Sequence, residues 1–316
     1  QNADDLLEGA AGIRVELGQF PDAMADYERL VQQGEEGKRP IWYAALARTA
    51  ARANDWRRAE DAGLAIADNG AHAVLGNTLA GEAALRAGKI DTAVERLTAA
   101  IGAAGKGRGG EDGPEWVARS NYLMGEIVRT DFERAQWGQG DEGTVLQNKL
   151  TLLQELEQTY VSAIQVGDPE WAMGGLYRVA NAYKQPADFL DNAPAPQGIS
   201  ADDEKQYRAA LAERSGPLRK QAADALQACR DQAKKLEAFN RFTKACVTGG
   251  TVDNDADNPR ARPAGVAIPG RDQMEAKLID NPKDLNVLTQ LVRAAIQVKD
   301  YPFAKLLAMR ALELDD

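Results

Sequence analysis

Cys229 and Cys246 are the two residues whose type and spacing could do chemistry together. Their midpoint falls at residues 237 and 238, where the pattern predicts a turn between two antiparallel helices. Thiols equally far from such a turn face each other, and helix axes about 8 to 10 Å apart allow a bond if both side chains point inward. The pair is therefore either a disulfide or two separate core thiols. A disulfide would add about 3 kcal/mol and would imply an oxidising compartment.

The chain has few other residues of the types that usually carry out catalysis. Two cysteines cannot form a zinc site unaided, and His72 is the only histidine of the chain. Arrangements of nucleophile, base and orienting residue that depend on histidine are therefore nearly excluded, and metal sites with several imidazoles are excluded outright. We predict no catalytic residue, no metal site and no cofactor.

A glycine-rich stretch at residues 102 to 113, GAAGKGRGGEDG, invites comparison with a phosphate-binding loop at Gly105 and Lys106. Such a loop also needs glycine five residues before the Gly-Lys pair, serine or threonine after the lysine, and a preceding strand. Here those places hold Ala100, Gly107 and a predicted helix. The stretch is therefore interpreted as a flexible loop between repeats.

A second loop carries alternating acidic residues, Asp253, Asp255 and Asp257, whose side chains could converge on calcium. An EF-hand loop would also need glycine at its sixth place and glutamate at its twelfth, and these places hold Asn258 and Ala264. The pattern indicates a solvated acidic loop, with weak calcium binding as the alternative.

The composition of the 316-residue chain favours closely packed helices and a protein partner. Its apolar share is 44%, while aromatic residues make up only 6%. With 48 acidic and 38 basic residues the net charge is −10, the wrong sign for nonspecific binding to nucleic acid or anionic membranes. No apolar run approaches the roughly 18 residues of a membrane span, so we predict none.

Small residues recur with a period near 34 in the first third of the chain. Alanines at 23, 59 and 93 are 36 and 34 residues apart, and each follows a small residue by twelve positions. Small residues at both places let two antiparallel helices approach closely. The six positions are Ala11 with Ala23, Ala47 with Ala59, and Gly81 with Ala93.

This spacing is similar to that of the tetratricopeptide repeat (TPR), a family of αα-hairpins stacked into a right-handed superhelix. The clearest copy is residues 285–316, which departs from the family pattern by having Val292 where a small residue belongs. The resemblance covers residues 1–107 and about the last 32 residues. The matching positions of the last copy are Leu288, Leu291, Ala295, Ala304, Ala308 and Ala311.

The middle of the chain repeats itself with an offset of 55: GPEW at residues 113–116 and DPEW at residues 168–171. Each motif resembles the start of a first repeat helix, with proline in the first turn and glutamate near the positive helix end. Between them residues 144–165 have apolar residues at helical spacing, which predicts a long second helix. We interpret the middle as an elongated repeat, in which Trp116 and Trp171 pack between neighbouring repeats.

Residues 184–243 resemble a segment of envelope-located TPR proteins, including those of bacterial gliding-motility machinery. Ser200 with Asp203 resembles a capping box, and Pro217 is expected to kink or split the helix that follows. The family usually has tryptophan where this chain has Phe242. The resemblance implies a periplasmic or envelope-associated location, which favours a disulfide; a cytoplasmic location is the alternative.

The predicted fold is an all-α, right-handed superhelical solenoid of αα-hairpins with an irregular middle. We expect TPR hairpins over residues 1–107, an elongated region over 108–246, a mobile linker over 247–270 and a final hairpin region over 271–316, with a short helix from about Arg271. Because the last hairpin has no evident polar cap, we also expect the natural chain to continue beyond residue 316.

The TPR resemblance implies that particular positions of each first helix face a concave groove that binds peptides or partner helices. Arginine and tyrosine there are residue types that often dominate binding. The alternative for each position is an ordinary solvated residue. The predicted partner-binding residues are Arg48, Glu82, Arg119, Tyr122, Glu126, Arg129, Tyr177, Asn181, Lys184 and Arg293.

These expectations indicate a noncatalytic scaffold that binds a protein or peptide within a multiprotein envelope complex. One alternative is a structural assembly subunit that uses its convex face and loops, including residues 193–198, APAPQG. A third possibility is an enzyme or the regulatory arm of an enzyme. Its only support is that carboxylate pairs such as Glu35 with Glu36 could do acid or base chemistry.

Overall fold

The structure is a computed structural model. It describes residues 2–68, 70–107, 113–135, 141–236, 238, 240–252, 267–281 and 283–315. All regular secondary structure in those residues is helical, and none of them lies in a strand. The all-α part of the predicted fold class is therefore confirmed.

Fourteen α-helices and two short 3-10 turns, Glu36–Lys38 and Gly70–His72, make up the described part of the chain. Most of the helices are 12 to 15 residues long, while three in the middle are longer, at 22, 25 and 23 residues, and a fourth has 35. In chain order they are α1 (Asn2–Glu16), α2 (Phe20–Gln33), α3 (Arg39–Arg52), α4 (Trp56–Ala67), α5 (Ala73–Arg86), α6 (Ile90–Ala104), α7 (Gly113–Arg134), α8 (Glu142–Val166), α9 (Pro169–Asp191), α10 (Ala201–Lys235), α11 (Arg241–Thr248), α12 (Arg271–Asp280), α13 (Leu285–Gln297) and α14 (Tyr301–Asp315).

The chain divides into two compact units, one of which is Gly63–Asp253 and the other Gln1–Ala62 with Asn254–Asp316. Within Gly63–Asp253, each helix from α5 to α10 packs on the next one, and α7 also packs on α5 and on α9. Contacts between successive and next-but-one helices are compatible with an α-solenoid. The four-segment division predicted above does not map one to one onto these units and stays a prediction.

The other unit joins helices from both ends of the chain. Here α1 packs on α2, α2 on α3, and α13 on α14. The last helix also contacts the first, where Lys305 Nζ lies 3.1 Å from Glu16 Oε2. The indole nitrogen of fully buried Trp42 donates to Glu8 at 3.1 Å, which ties α3 to α1.

The small residues of the predicted repeat lie inside the core. At Gly81 even a methyl group would hold the paired helices apart, because a Cβ there would lie 2.8 Å from Leu97 Cγ. The alanines, each no more than 2% exposed, are Ala11, Ala23, Ala47, Ala59 and Ala93.

The two helices that the repeated motif predicts begin where expected. α7 begins at Gly113, and α9 begins at Pro169 after Asp168, whose carboxylate accepts from the backbone N–H of Glu170 and Trp171 at 3.0 Å. Between them α8 is one continuous helix of 25 residues, as predicted for residues 144–165. Trp116 and Trp171 are both buried, as their predicted packing role requires.

Gly125 allows α7 and α8 to pack face to face. A Cβ at this position would overlap the ring of Tyr160, with 2.7 Å to Cδ1. The ring has no room to move aside because Tyr160 is fully buried and its hydroxyl donates to Glu126 at 2.7 Å.

Gly125→Ala is therefore expected to lower the free energy of unfolding by about 1–3 kcal/mol, the usual range for overpacking a core. The measurement is urea unfolding followed by tryptophan fluorescence. Gly102→Ala in α6 is the matched control, since no atom lies within 4 Å of a Cβ there, and we expect no loss of stability. Equal stability of Gly125→Ala and the unchanged chain would contradict the close approach.

The region after α9 differs in part from its prediction. Ser200 caps α10 as expected, accepting from the N–H of Asp203 at 3.2 Å. Pro217 does not split α10, which runs as one helix of 35 residues. α11 ends at Thr248, two residues inside the predicted linker, and α12 begins at Arg271 as predicted.

Candidate functional site

The ten predicted groove residues separate by burial. Arg48, Lys184 and Arg293 are exposed, and Asn181 is half-buried with its amide donating to the Tyr177 carbonyl at 2.9 Å. Six are buried or half-buried and form hydrogen bonds or ion pairs with other parts of the chain: Glu82, Arg119, Tyr122, Glu126, Arg129 and Tyr177. The predicted face of α7 is therefore largely covered by the chain itself.

Glu126 of α7 is the centre of a buried charged cluster, the Glu126 cluster, which comprises Glu126, Arg129, Arg178, Tyr122 and Tyr160. Its carboxylate lies 2.7 Å from Arg178 Nε and 2.9 Å from Arg129 Nη2, and it accepts from the Tyr160 hydroxyl at 2.7 Å. Arg178 also donates from Nε to the Tyr122 hydroxyl at 3.0 Å. The cluster joins α7, α8 and α9, and each of its charges has a partner of opposite sign.

The electrostatics of the cluster keep Glu126 ionised. Burial alone raises the pKa of its carboxyl, but the positive charges of Arg178 and Arg129 and the donated hydrogen bonds outweigh this, and the pKa lies below its usual value. Burial and the nearby carboxylate raise the pKa of Tyr122 and of Tyr160, so both phenols stay protonated. The carboxylate is thus a permanent acceptor and a poor general base.

Arg119 and Glu82 form a second ion pair between α7 and α5, with 2.6 Å between Nη2 and Oε2. The guanidinium carbon of Arg119 lies 5.4 Å from the Trp116 ring centroid and 5.1 Å from that of Trp171. Such stacking holds the guanidinium in place. About a fifth of each paired side chain remains exposed, so a partner can still reach part of this pair.

An aromatic cluster lies beside these charges. The ring of Phe242 from α11 packs 5.6 Å from Tyr122 and 6.3 Å from Tyr177, centroid to centroid, and Tyr122 lies 5.1 Å from Trp171. The phenyl ring also faces the backbone of Gly174, where a Cβ would lie 3.1 Å away. The two tyrosines that the repeated motif places at equivalent positions therefore belong to one core.

Cys229 of α10 and Cys246 of α11 lie at disulfide distance, with 6.3 Å between their Cα atoms. Both are buried, and the turn between the helices falls at the predicted place after Lys235. The alternative of two separate thiols does not fit this geometry. The pair fastens the short α11, and with it Phe242, to the long α10.

Replacing both cysteines by alanine is expected to lower the free energy of unfolding by about 3 kcal/mol, because a loop of 17 residues is no longer closed in the unfolded chain. Urea unfolding of the double variant and of the wild type, each with and without dithiothreitol, measures this. The reductant should shift the midpoint of the wild type only. A wild-type midpoint that does not respond, together with thiols that react with iodoacetamide in urea without reductant, would show that the bond is absent.

A small cavity of about 30 Å³ lies between α7, α8 and α9, bordered by Arg129, Tyr160, Arg178, Asn181 and Gln185. This is room for about two water molecules, far below the several hundred Å³ of a typical ligand pocket. The cavity can hydrate the Glu126 cluster but cannot admit a substrate.

Lys149 is a buried cation that the sequence pattern did not single out. Its amine donates to the carbonyls of Phe132 and Ala135, at 2.9 and 3.0 Å, and lies 4.1 Å above the Phe132 ring. Burial lowers the pKa of Lys149 and the charge of Glu133 opposes that shift only in part. The lysine therefore caps the end of α7, a structural role.

A scan against protein-family models gave no match, and a search of curated proteins gave no significant match.

Arg178 is the central cluster residue that the sequence analysis missed. The sequence signal for Arg178 is that it is a single charged residue within the apolar run of α9. Its neighbours Val179 and Ala180 are buried. A charge in such a run needs a buried partner. The sequence does not say which acid of the chain that partner is.

The described residues contain neither a cluster of metal-binding side chains nor a helix that could cross a membrane. Within the described residues, no three His, Cys, Asp or Glu side chains come together as a metal site would require. None of the helices in that part of the chain has the length and apolar character to cross a membrane. The acidic residues Asp253, Asp255 and Asp257 lie outside the described residues, so the predicted solvated loop and its alternative, weak calcium binding, both stay untested.

Proposed function

We propose that this chain is a noncatalytic TPR-like scaffold, a right-handed superhelical array of αα-hairpins that binds a partner protein or peptide. The partner would be a component of a multiprotein complex of the bacterial cell envelope, such as a gliding-motility complex. Binding rests on shape and charge complementarity, with no cofactor or metal.

The observation that carries the proposal is the burial of the repeat's small residues. Ala11, Ala23, Ala47, Ala59 and Ala93 follow the TPR spacing and are all inside the core. A repeat whose small positions face the partner helix can stack on its neighbours, and the remaining faces stay available for partners. This supports TPR-like packing over an unrelated helical arrangement.

The proposed binding residues are those that the fold leaves accessible: Arg48, Lys184 and Arg293, with the partly exposed pair Arg119 and Glu82. Arginine can grip a carboxylate with two parallel hydrogen bonds. Tyr122, Glu126 and the rest of the Glu126 cluster hold α7, α8 and α9 together and are not proposed to touch the partner.

The proposed location is the periplasm or the envelope surface. Cysteines paired at disulfide distance fit an oxidising compartment, because disulfides rarely persist in a reducing cytosol. The resemblance of residues 184–243 to envelope TPR proteins points the same way. A cytoplasmic location would require the two thiols to remain reduced in the cell.

The test compares proteins retained from a bacterial envelope extract by three forms of the intact chain. The first is unchanged, and the second carries Arg48→Glu, Lys184→Glu and Arg293→Glu. The third is a matched control with the same charge change at exposed basic residues of α10, Lys205→Glu, Arg214→Glu and Lys220→Glu. Circular dichroism checks that all three are folded.

A protein retained by the unchanged chain and the control, and lost by the second form, is the expected result. Retention by all three forms would contradict binding through these residues. It would instead favour a structural assembly subunit that makes its contacts through other faces and through loops such as residues 193–198.

A further inference from the structure

We propose that the Tyr177 hydroxyl marks a binding site for an extended peptide, and that the chain's own residues 249–252 occupy it until a partner segment takes their place. The inference rests on the proposed function, since it names the kind of ligand that the scaffold accepts. All of its residues lie within Gly63–Asp253.

Tyr177 presents a single polar atom at the edge of a buried ring. The residue is 5% exposed, and its ring packs on Phe242. Its hydroxyl donates to the Gly250 carbonyl at 3.2 Å and accepts from the Val252 N–H at 3.3 Å. One hydroxyl thus satisfies a carbonyl and an amide two residues apart, which are backbone groups that any extended peptide can offer.

The segment that fills the site is held only lightly. α11 ends at Thr248 and is capped by Gly249, whose φ of 69° is left-handed and turns the chain back toward α9. Gly249, Gly250 and Thr251 are exposed, and Val252 alone places a side chain against the aromatic core. Two hydrogen bonds and one half-buried valine are a small set of contacts, which a partner segment with more contacts can displace.

The cysteine pair explains why the internal segment is present at the site. Cys246 lies at disulfide distance from Cys229 on α10 and four residues before Gly250. Fastening α11 in this way keeps residues 249–252 beside Tyr177 at a high effective concentration. A partner must therefore compete with a tethered occupant, which limits capture to segments that match the site well.

The geometry defines the ligand by its chemistry. It is an extended segment with a free carbonyl and, two residues later, a residue that offers both a free N–H and a β-branched aliphatic side chain. The first residue need not be glycine, because the only atom within 4 Å of a Cβ at Gly250 would be Thr248 Oγ1, at 3.2 Å. Recognition of this kind uses the backbone for affinity and one side chain for selection.

The first test is hydrogen exchange followed by mass spectrometry on the full oxidised chain. Tyr177→Phe removes the hydroxyl and keeps the ring, so the Val252 amide is expected to exchange about tenfold faster, the effect of losing one hydrogen bond. Tyr207→Phe is the matched control, since that hydroxyl donates to the Pro194 carbonyl elsewhere. Equal exchange of Val252 in the wild type and in Tyr177→Phe would overturn the proposal.

The second test measures binding of a fluorescent synthetic peptide, residues 245–252 with Cys246→Ser, by anisotropy. Val252→Asp in the full chain removes the apolar anchor and should release the site, so this variant is expected to bind the peptide at least about tenfold more tightly than the wild type. Thr251→Asp adds the same charge at an exposed neighbour and should bind as weakly as the wild type. Adding Tyr177→Phe to Val252→Asp should abolish binding.

Equal peptide affinity of Val252→Asp and Thr251→Asp would overturn the proposal. Neither readout depends on finding the natural partner. A failed search for an envelope partner therefore counts against the proposed function and leaves this inference intact, while a failure here leaves partner binding through the exposed basic residues unaffected.

Discussion

Glu126→Gln is expected to lower the free energy of unfolding by about 3–5 kcal/mol, the range for breaking a buried ion pair by removing one partner. The side chain is 11% exposed and accepts hydrogen bonds from two arginines and a tyrosine. An amide keeps the shape but carries no charge, so the buried Arg178 would lose the counter-charge that Glu126 supplies, while Arg129 would keep its pair with Glu133. The loss reflects this uncompensated burial of charge as much as the weakened hydrogen bonds.

The same carboxylate predicts how stability depends on pH. The pKa of Glu126 in the folded chain lies below the usual value of 4.5 that it has when unfolded. A depressed folded pKa contributes stability that is fully present above the unfolded pKa and is lost as the pH falls through the folded pKa. The wild type should therefore lose stability below about pH 4.5, and Glu126→Gln should lose less over the same interval.

Urea unfolding by tryptophan fluorescence between pH 7 and pH 3 measures both effects. Glu133→Gln is the matched control: Glu133 pairs with Arg129 too, but 43% of its side chain is exposed. Exposed pairs contribute about 0–1 kcal/mol, so the control should stay close to the wild type. If the two variants were equally stable, the Glu126 cluster would not be the buried network described.

Phe242→Ala is expected to lower the free energy of unfolding by about 3–5 kcal/mol, the range for deleting a buried phenyl ring. The side chain is fully buried and touches the rings of Tyr122, Trp171 and Tyr177. Its loss would leave a cavity where α7, α9 and α11 meet. Val247→Ala on the same helix is the control, because Val247 is 62% exposed and its truncation should change little.

The same site tests how tightly the aromatic cluster is packed. Phe242→Trp is expected to destabilise by about 1–3 kcal/mol, because Gly174 and the surrounding rings leave no space for the larger indole. Differential scanning calorimetry of the three variants gives the comparison. A more stable Phe242→Trp would show that the core is underpacked, and a harmless Phe242→Ala would contradict the aromatic cluster.

Several features of the fold were readable because they depend on residues near one another in the chain. Ser200 caps α10 by accepting a hydrogen bond from the N–H group three positions ahead. The cysteine pair follows from equal distances about a turn, and the buried alanines from a short period. Such signals are local, so the sequence alone indicated where several helices begin and which small residues are buried, while the bond between the two thiols remained one of two alternatives until the structure placed them at disulfide distance.

The identity of the exposed faces was decided only by the tertiary structure. Helical spacing places Tyr122, Glu126 and Arg129 on one face of α7, and the TPR resemblance predicts that this face lines a groove for a partner. The structure fills that face with Arg178, which lies 52 positions from Glu126, and with Tyr160 from the long α8. Periodicity tells which side chains lie together, but not which distant element covers them, because that depends on how all the helices pack.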